Sequence, residues 1–165
     1  MYKMYRFLPI PTVNFKMWLL LALVVFAFPL FADNSATAIP APLSDFRSDG
    51  CSLFPDGDLI DSKLWCKCCF EHDIAYWKGG TEQERNQADQ ILKSCVFDKT
   101  KNKSLAEVMF QGVQVGGLPI FPTWYRWGYG WQYGRGFQAL SNEEKILINK
   151  KLSHYRLSKI KSICD

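Results

Sequence analysis

The chain contains only two histidines, no block of lysine or arginine, and no internal repeat. Each absence excludes something. A formal charge of +4 over 165 residues, with no basic run, is not the footprint of a nucleic-acid arm, so no nucleic-acid partner is expected. No serine-nucleophile motif is evident, and a hydrolase that activates water directly needs no acyl-enzyme. The apolar run from Met17 to Ala32 is shorter than the roughly 20 residues that span a bilayer. What is present, 48% apolar and 15% aromatic residues, describes a folded chain and not a disordered one.

The N-terminal grammar predicts export. Lys3, Arg6 and Lys16 precede the apolar run, and small residues follow it at Ala32 and at Ala36-Thr37-Ala38. A basic region, an apolar stretch and a small-residue site make residues 1–38 a secretory signal peptide, cleaved after Ala32 or Ala38, with a retained membrane anchor as the rival reading. Cleavage removes three Lys/Arg and one Asp, which lowers the charge from +4 to +2. The expected location is secreted or periplasmic, and residues 39–165 are expected to form a single, monomeric domain. Cys51, Cys66, Cys68, Cys69, Cys95 and Cys164 all lie in that part, and an even number in an exported chain suits three disulfides. The residues alone leave their connectivity open.

Periodicity predicts a mostly α domain. Residues 39–48 read as a flexible or extended lead-in, and Asp49 to Asp61 is rich in turn residues. A helix is expected from about Ser62 to Trp77, because Trp65, Cys68, Cys69, His72 and Tyr76 recur at helical spacing on one face. Gly79-Gly80 ends it, and Thr81 with Glu84 forms a capping box for a second helix striped by Ala88, Ile91, Leu92, Cys95 and Val96. The tight turn should set these two helices antiparallel. A polar break at Asp98 to Lys103 precedes a short helix at about 104–115. Residues 116–137 are Gly-rich and aromatic, and a last amphipathic helix follows Ser141, with Glu144 three residues on, and reaches Cys164.

The chemistry concentrates at Cys68-Cys69-Phe70-Glu71-His72-Asp73-Ile74-Ala75-Tyr76. Histidine is the side chain most easily poised to take a proton from water near neutral pH, and it works best when a carboxylate holds its other ring nitrogen. Asp89, 17 residues on and across the glycine turn, can lie opposite His72, and Tyr76, one turn beyond His72, can reach that carboxylate. Asp73 is rotated about 100° from His72 around the helix, so it cannot orient the imidazole. It can face the Asp49–Gly57 loop, where a hard oxygen ligand beside exposed carbonyls suits calcium.

The motif Cys-Cys-x-x-His-Asp-x-x-Tyr resembles the active-site helix of secreted phospholipases A2. With Asp49-Gly50-Cys51-Ser52-x-x-Pro55-Asp56 upstream, it is most similar to the prokaryotic and fungal branch; the animal-type Tyr-Gly-Cys-x-Cys-Gly-x-Gly-Gly loop is absent. The resemblance covers about residues 48–97 and leaves 104–165 as an extension. It implies a disulfide-linked antiparallel helix pair and calcium-dependent hydrolysis of the sn-2 ester of glycerophospholipids, with membrane or aggregated lipid as partner. It also implies His72, Asp89 and Tyr76 as catalytic residues and Asp49, Gly50 and Asp73 as calcium ligands. The disulfides Cys51–Cys69 and Cys68–Cys95 follow from the same resemblance, which leaves Cys66 to Cys164.

Three rival readings stand beside this one. Cys66, Cys68, Cys69 and His72 have a spacing that permits zinc. The same scaffold could bind lipid without turning it over. Trp124, Tyr125, Trp127, Tyr129, Trp131 and Tyr133 suit either a bilayer interface or an irregular core. Lys150, Lys151, Arg156, Lys159 and Lys161 on the last helix read as a solvated face, with anionic lipid as the alternative. His154 reads as a surface residue.

Overall fold

A computed structural model describes residues 42–158 and Cys164, all within one compact unit, Ile39–Asp165. Among the described residues the regular structure is four helices and no strand: α1 (Cys66–Lys78), α2 (Glu82–Thr100), α3 (Lys103–Gly116) and α4 (Asn142–Ser158). The leader and its cleavage sites lie outside the described residues, as do Lys159, Lys161 and the continuation of the last helix toward Cys164.

α1 begins later than its periodicity predicts. Asp61 accepts the Lys63 N–H on its side chain (2.9 Å) and the Leu64 N–H on its carbonyl (3.2 Å), while Trp65 N–H goes back to Asp56 O (3.0 Å). These local bonds hold residues 62–65 in turns, and the helix starts at Cys66. Its apolar face is as expected, with Trp65, Cys68, Cys69, His72 and Tyr76 all buried. Gly79, at φ +65°, caps its end.

α2 opens on the Thr81–Glu84 capping box. It passes through the expected polar break and stops only at Lys101, in the left-handed region at φ 54°. Asn102 then caps α3 through the Leu105 N–H (3.0 Å). Of the predicted α2 stripe, Ile91 is exposed at 59%, whereas Asp89 is fully buried. The contacts 72 to 89 and 68 to 95 run in opposite senses along the chain, so α1 and α2 are antiparallel. The pairs Lys93–Glu107 and Arg85–Val113 set α3 antiparallel to α2 by the same logic.

All six cysteines are bonded, as Cys51–Cys69, Cys68–Cys95 and Cys66–Cys164. The first two are the pairs the family resemblance implies, and the third is the pair left over. No thiolate is left for zinc, so the zinc reading falls. In a domain this small each bridge stabilises by about 2–4 kcal/mol, chiefly by constraining the unfolded chain.

The Gly-rich aromatic segment satisfies the end of α1. The last carbonyls of a helix have no partner inside it. Here Tyr76 O accepts from Gly128 N (2.7 Å), Trp77 O from Gly130 N (3.2 Å), and Lys78 O from the Trp131 indole (2.6 Å). Just past the helix, Gly80 O accepts from the Trp127 indole (2.9 Å). A Cβ on Gly130 would lie 2.6 Å from Trp77 O, which is why that position is glycine. Trp127 and Trp131 are therefore core, while Trp124 and Tyr133 stay exposed at 64% and 55%. The segment is thus part core and part exposed surface.

The described part of the lead-in, from residue 42, has no regular structure but is anchored. Leu43 and Phe46 are buried with Ile74, Trp77, Trp131 and Ile148 in a second core beneath α4. Burying each contributes about 1.5–3 kcal/mol. The segment is tied by Ser44 N to Gly130 O (2.8 Å) and by the Trp77 indole to Ser44 O (3.0 Å).

α4 starts with the expected Ser141–Glu144 box, and Glu144 also takes a two-pronged bond from Arg135 at 2.7 and 2.9 Å. The Arg135 bonds hold the Glu144 carboxyl below its ordinary range. A depressed acid contributes stability above its unfolded pKa and loses it as pH falls through the folded value. Glu144→Gln should therefore cost about 1–2 kcal/mol at pH 7. Denaturant titrations should show the gap to wild type closing below about pH 4.

Candidate active site

α1 and α2 bring their polar residues together inside the fold. His72 Nε2 lies 2.7 Å from Asp89 Oδ1, and the Tyr76 hydroxyl donates to the same oxygen at 2.8 Å. Asp89 is 0% exposed, and His72 and Tyr76 are buried beside it. Burial and then the Asp89 charge push the Tyr76 phenol well above its ordinary pKa, so it remains a donor. An ionised Asp89 takes the proton-bearing Nε2 of a neutral imidazole, which leaves Nδ1 as the basic nitrogen.

Two partners of Asp89 were not expected from the sequence. Gln114 on α3 donates its amide to Asp89 Oδ2. Arg85, only 3% exposed, stands 3.7 Å from Asp89 Oδ2 and donates to the Tyr76 hydroxyl at 3.2 Å. The same guanidinium caps the C-terminus of α3 through Val113 O (2.9 Å) and Gln114 O (2.7 Å). Arg85 precedes Asp89 by one helical turn, a spacing that was available as a signal. Nothing in the sequence marks Gln114, which lies on a helix that the resemblance does not reach.

His72 and Asp73 line an apolar channel of about 320 Å³ that runs between the Cys51–Phe54 loop and α3, with Leu92, Met109 and Val113 on its walls. Gly117 lets Tyr76 pass at its end, since a Cβ there would sit 2.6 Å from the phenol oxygen. His72 thus contributes to the channel lining.

Asp73 points away from His72's carboxylate partner, toward the loop. Its Oδ2 accepts from the Ser48 hydroxyl at 2.6 Å. Burial, followed by the charges of Asp49 and Asp56, raises its pKa to about 7. Asp49 and Asp73 line one cavity of about 580 Å³, and Gly50, at φ +81°, lines the neighbouring channel. The expected ligands are neighbours but not a closed cage. Asp49 accepts from Ser52 (2.7 Å), Asp56 accepts from Cys51 N (2.7 Å), and among the described residues no three His, Cys, Asp or Glu side chains converge as a metal site.

Comparison of the chain with family models, with curated proteins and with solved structures yields no match. The class that the fold and the site define is a small, helical, disulfide-linked domain with a buried His–Asp–Tyr group. Among the described residues no helix is long and apolar enough to cross a membrane.

This geometry bears on stability at two positions. Asp89→Ala leaves the Arg85 charge buried, and urea denaturation should register a loss of about 3–5 kcal/mol. For Asp73 the raised pKa means the folded chain binds its proton more tightly than the unfolded one, so stability falls as pH rises from about 4 through 7. With chelator present, Asp73→Asn should gain about 1–3 kcal/mol over wild type at pH 8 and little at pH 4, measured as melting temperature against pH.

Proposed function

We propose that the chain is a calcium-dependent phospholipase A2 that hydrolyses the sn-2 ester of glycerophospholipids outside the cytoplasm. The observation that carries the reading is His72, held at 2.7 Å by a fully buried Asp89 and lining an apolar channel. A base with a fixed tautomer, inside a slot suited to an acyl chain, is what lipid ester hydrolysis by water requires.

In this mechanism His72 Nδ1 takes a proton from a water molecule whose oxygen bonds to the ester carbonyl carbon. Asp89 supports the imidazolium so formed, and Tyr76, Gln114 and Arg85 keep Asp89 in place. Collapse of the tetrahedral adduct breaks the bond to the glycerol oxygen, which leaves with the proton from His72. The products are a fatty acid and a lysophospholipid. Asp49, Asp73 and the Gly50 carbonyl are the residues that would hold calcium. The donor set suits it: the side chains are oxygen-only, and the neighbouring charges that act on buried Asp73 are carboxylates. When bound, the ion supplies positive charge for the substrate's carbonyl oxygen and phosphate. Asp73 must be ionised for this, so the calcium concentration needed for activity should fall as pH rises through about 7.

The test is fatty-acid release from mixed phospholipid vesicles by the oxidised protein, with calcium or with chelator. Release should need calcium and fall by about 10²–10⁴-fold in His72→Gln, the usual contribution of a general base. Calcium binding and vesicle binding without release, unchanged in His72→Gln, would instead make the chain a non-catalytic lipid-binding module.

A further inference from the structure

Beside the Asp73 site, among the described residues, lies a larger cavity that the mechanism does not use. It measures about 750 Å³ and is lined by Arg47, Lys150, Lys151 and His154, over a floor that includes buried Phe46. Four basic side chains, from the lead-in and from α4, meet there. The one carboxylate in its wall, Asp45, is tied to Lys151 at 2.5 Å. With that pair neutralised, Arg47 and Lys150 leave a charge of about +2 facing a concave surface, and His154 adds to it when protonated. The field is felt at Asp45, whose carboxyl is lowered by Lys151 first and then by His154 and Arg47.

Position gives the cavity its meaning. Asp45, Arg47 and Ser48 also line the cavity that holds Asp49 and Asp73, so the two share a wall, and Ser48 on that wall donates to Asp73. A phospholipid whose sn-2 ester sits over His72 and whose phosphate sits near Asp73 would direct its outer head group toward the basic cavity. Concave basic walls recognise anions by charge and hydrogen bonding. Choline carries a fixed positive charge and would be repelled.

We propose that Arg47, Lys150, Lys151 and His154 form a head-group subsite for an anionic group, which makes phospholipids whose outer head group itself carries an anion the favoured substrate class. This rests on the proposed function, but the anion-binding part can be tested apart from it.

Short-chain lipids below their aggregation threshold remove the general attraction of a charged bilayer surface. With dihexanoyl phosphatidylinositol 4-phosphate, dihexanoyl phosphatidylserine and dihexanoyl phosphatidylcholine as monomers, the wild type should show the lowest KM for the anionic pair, whose outer head groups carry a phosphate or a carboxylate. Lys150→Ala, at an exposed position where melting should be unaffected, should raise KM about tenfold for the anionic lipids and leave phosphatidylcholine unchanged, and Arg47→Ala, which also lines the Asp73 cavity, should raise KM more for the anionic lipids than for phosphatidylcholine. Lys103→Ala, on α3, is the charge control and should change neither. A second arm titrates glycerol 1-phosphate into the full chain by calorimetry, with chelator present, where the same two variants should weaken binding about tenfold. If no lipid is hydrolysed but glycerol 1-phosphate binds and the variants abolish it, the enzyme reading fails, and the cavity is a site for soluble phosphate compounds. If lipids are hydrolysed but the variants affect all head groups equally, or none, the subsite is overturned and the enzyme stands. Absence of both hydrolysis and anion binding overturns the two together.

Discussion

A carboxylate with no access to water has to be compensated by the groups around it, and Asp89 is such a carboxylate. Its two oxygens are met by His72 and Tyr76 from α1 and by Gln114 from α3, with Arg85 from its own helix a little farther off. Removing water from a charge costs several kcal/mol, and only close, well-aimed partners offset it. The three helices are therefore set relative to one another by one buried anion as well as by apolar packing. The Cys68–Cys95 bridge reinforces the same crossing. Arg85 serves twice, since it balances Asp89 and also occupies the carbonyl end of α3.

That arrangement explains the form of the rest. α1 has to stop close after Tyr76 so that the chain can return as α2, and its last carbonyls then need donors. The aromatic segment supplies them from Gly128, Gly130 and the Trp131 indole, while Trp127 reaches Gly80. Tryptophan does two things there: its ring fills the core, and its one N–H satisfies a carbonyl that would otherwise be buried unpaired. Trp124 and Tyr125, packed edge to face at 5.2 Å, are left at the rim of the cavity that holds Asp73.

The helix pair and its capping boxes were legible because local chemistry decides them. Thr81–Glu84 and Ser141–Glu144 each close within four residues, and the recurrence of Trp65, Cys68, Cys69, His72 and Tyr76 describes one face of a helix regardless of its partners. Where local signals competed, pattern alone misled. Asp56 and Asp61 captured the N–H groups of residues 63–65 and delayed α1, and α2 continued through Asp98–Thr100 although those residues look like a break. Ile91 fits an apolar stripe yet faces outward, while the charged Asp89 lies at the centre. A hydrophobic pattern cannot anticipate a carboxylate whose burial is compensated by residues on two other helices.

By itself, then, the sequence determined the elements with short-range causes: which segments are helical, which residues cap them, and that His72, Tyr76 and Asp89 fall within reach across a glycine turn. Only the tertiary structure decided the partners separated by long loops. Gln114 closing on Asp89, Leu43 and Phe46 entering the core, Trp127 and Trp131 ending α1, and Arg47 meeting Lys150 at one cavity are contacts of this kind. The physical reason is that capping and periodicity act over three or four residues, whereas the compensation of a buried charge or an orphaned carbonyl depends only on what the folded chain brings near it.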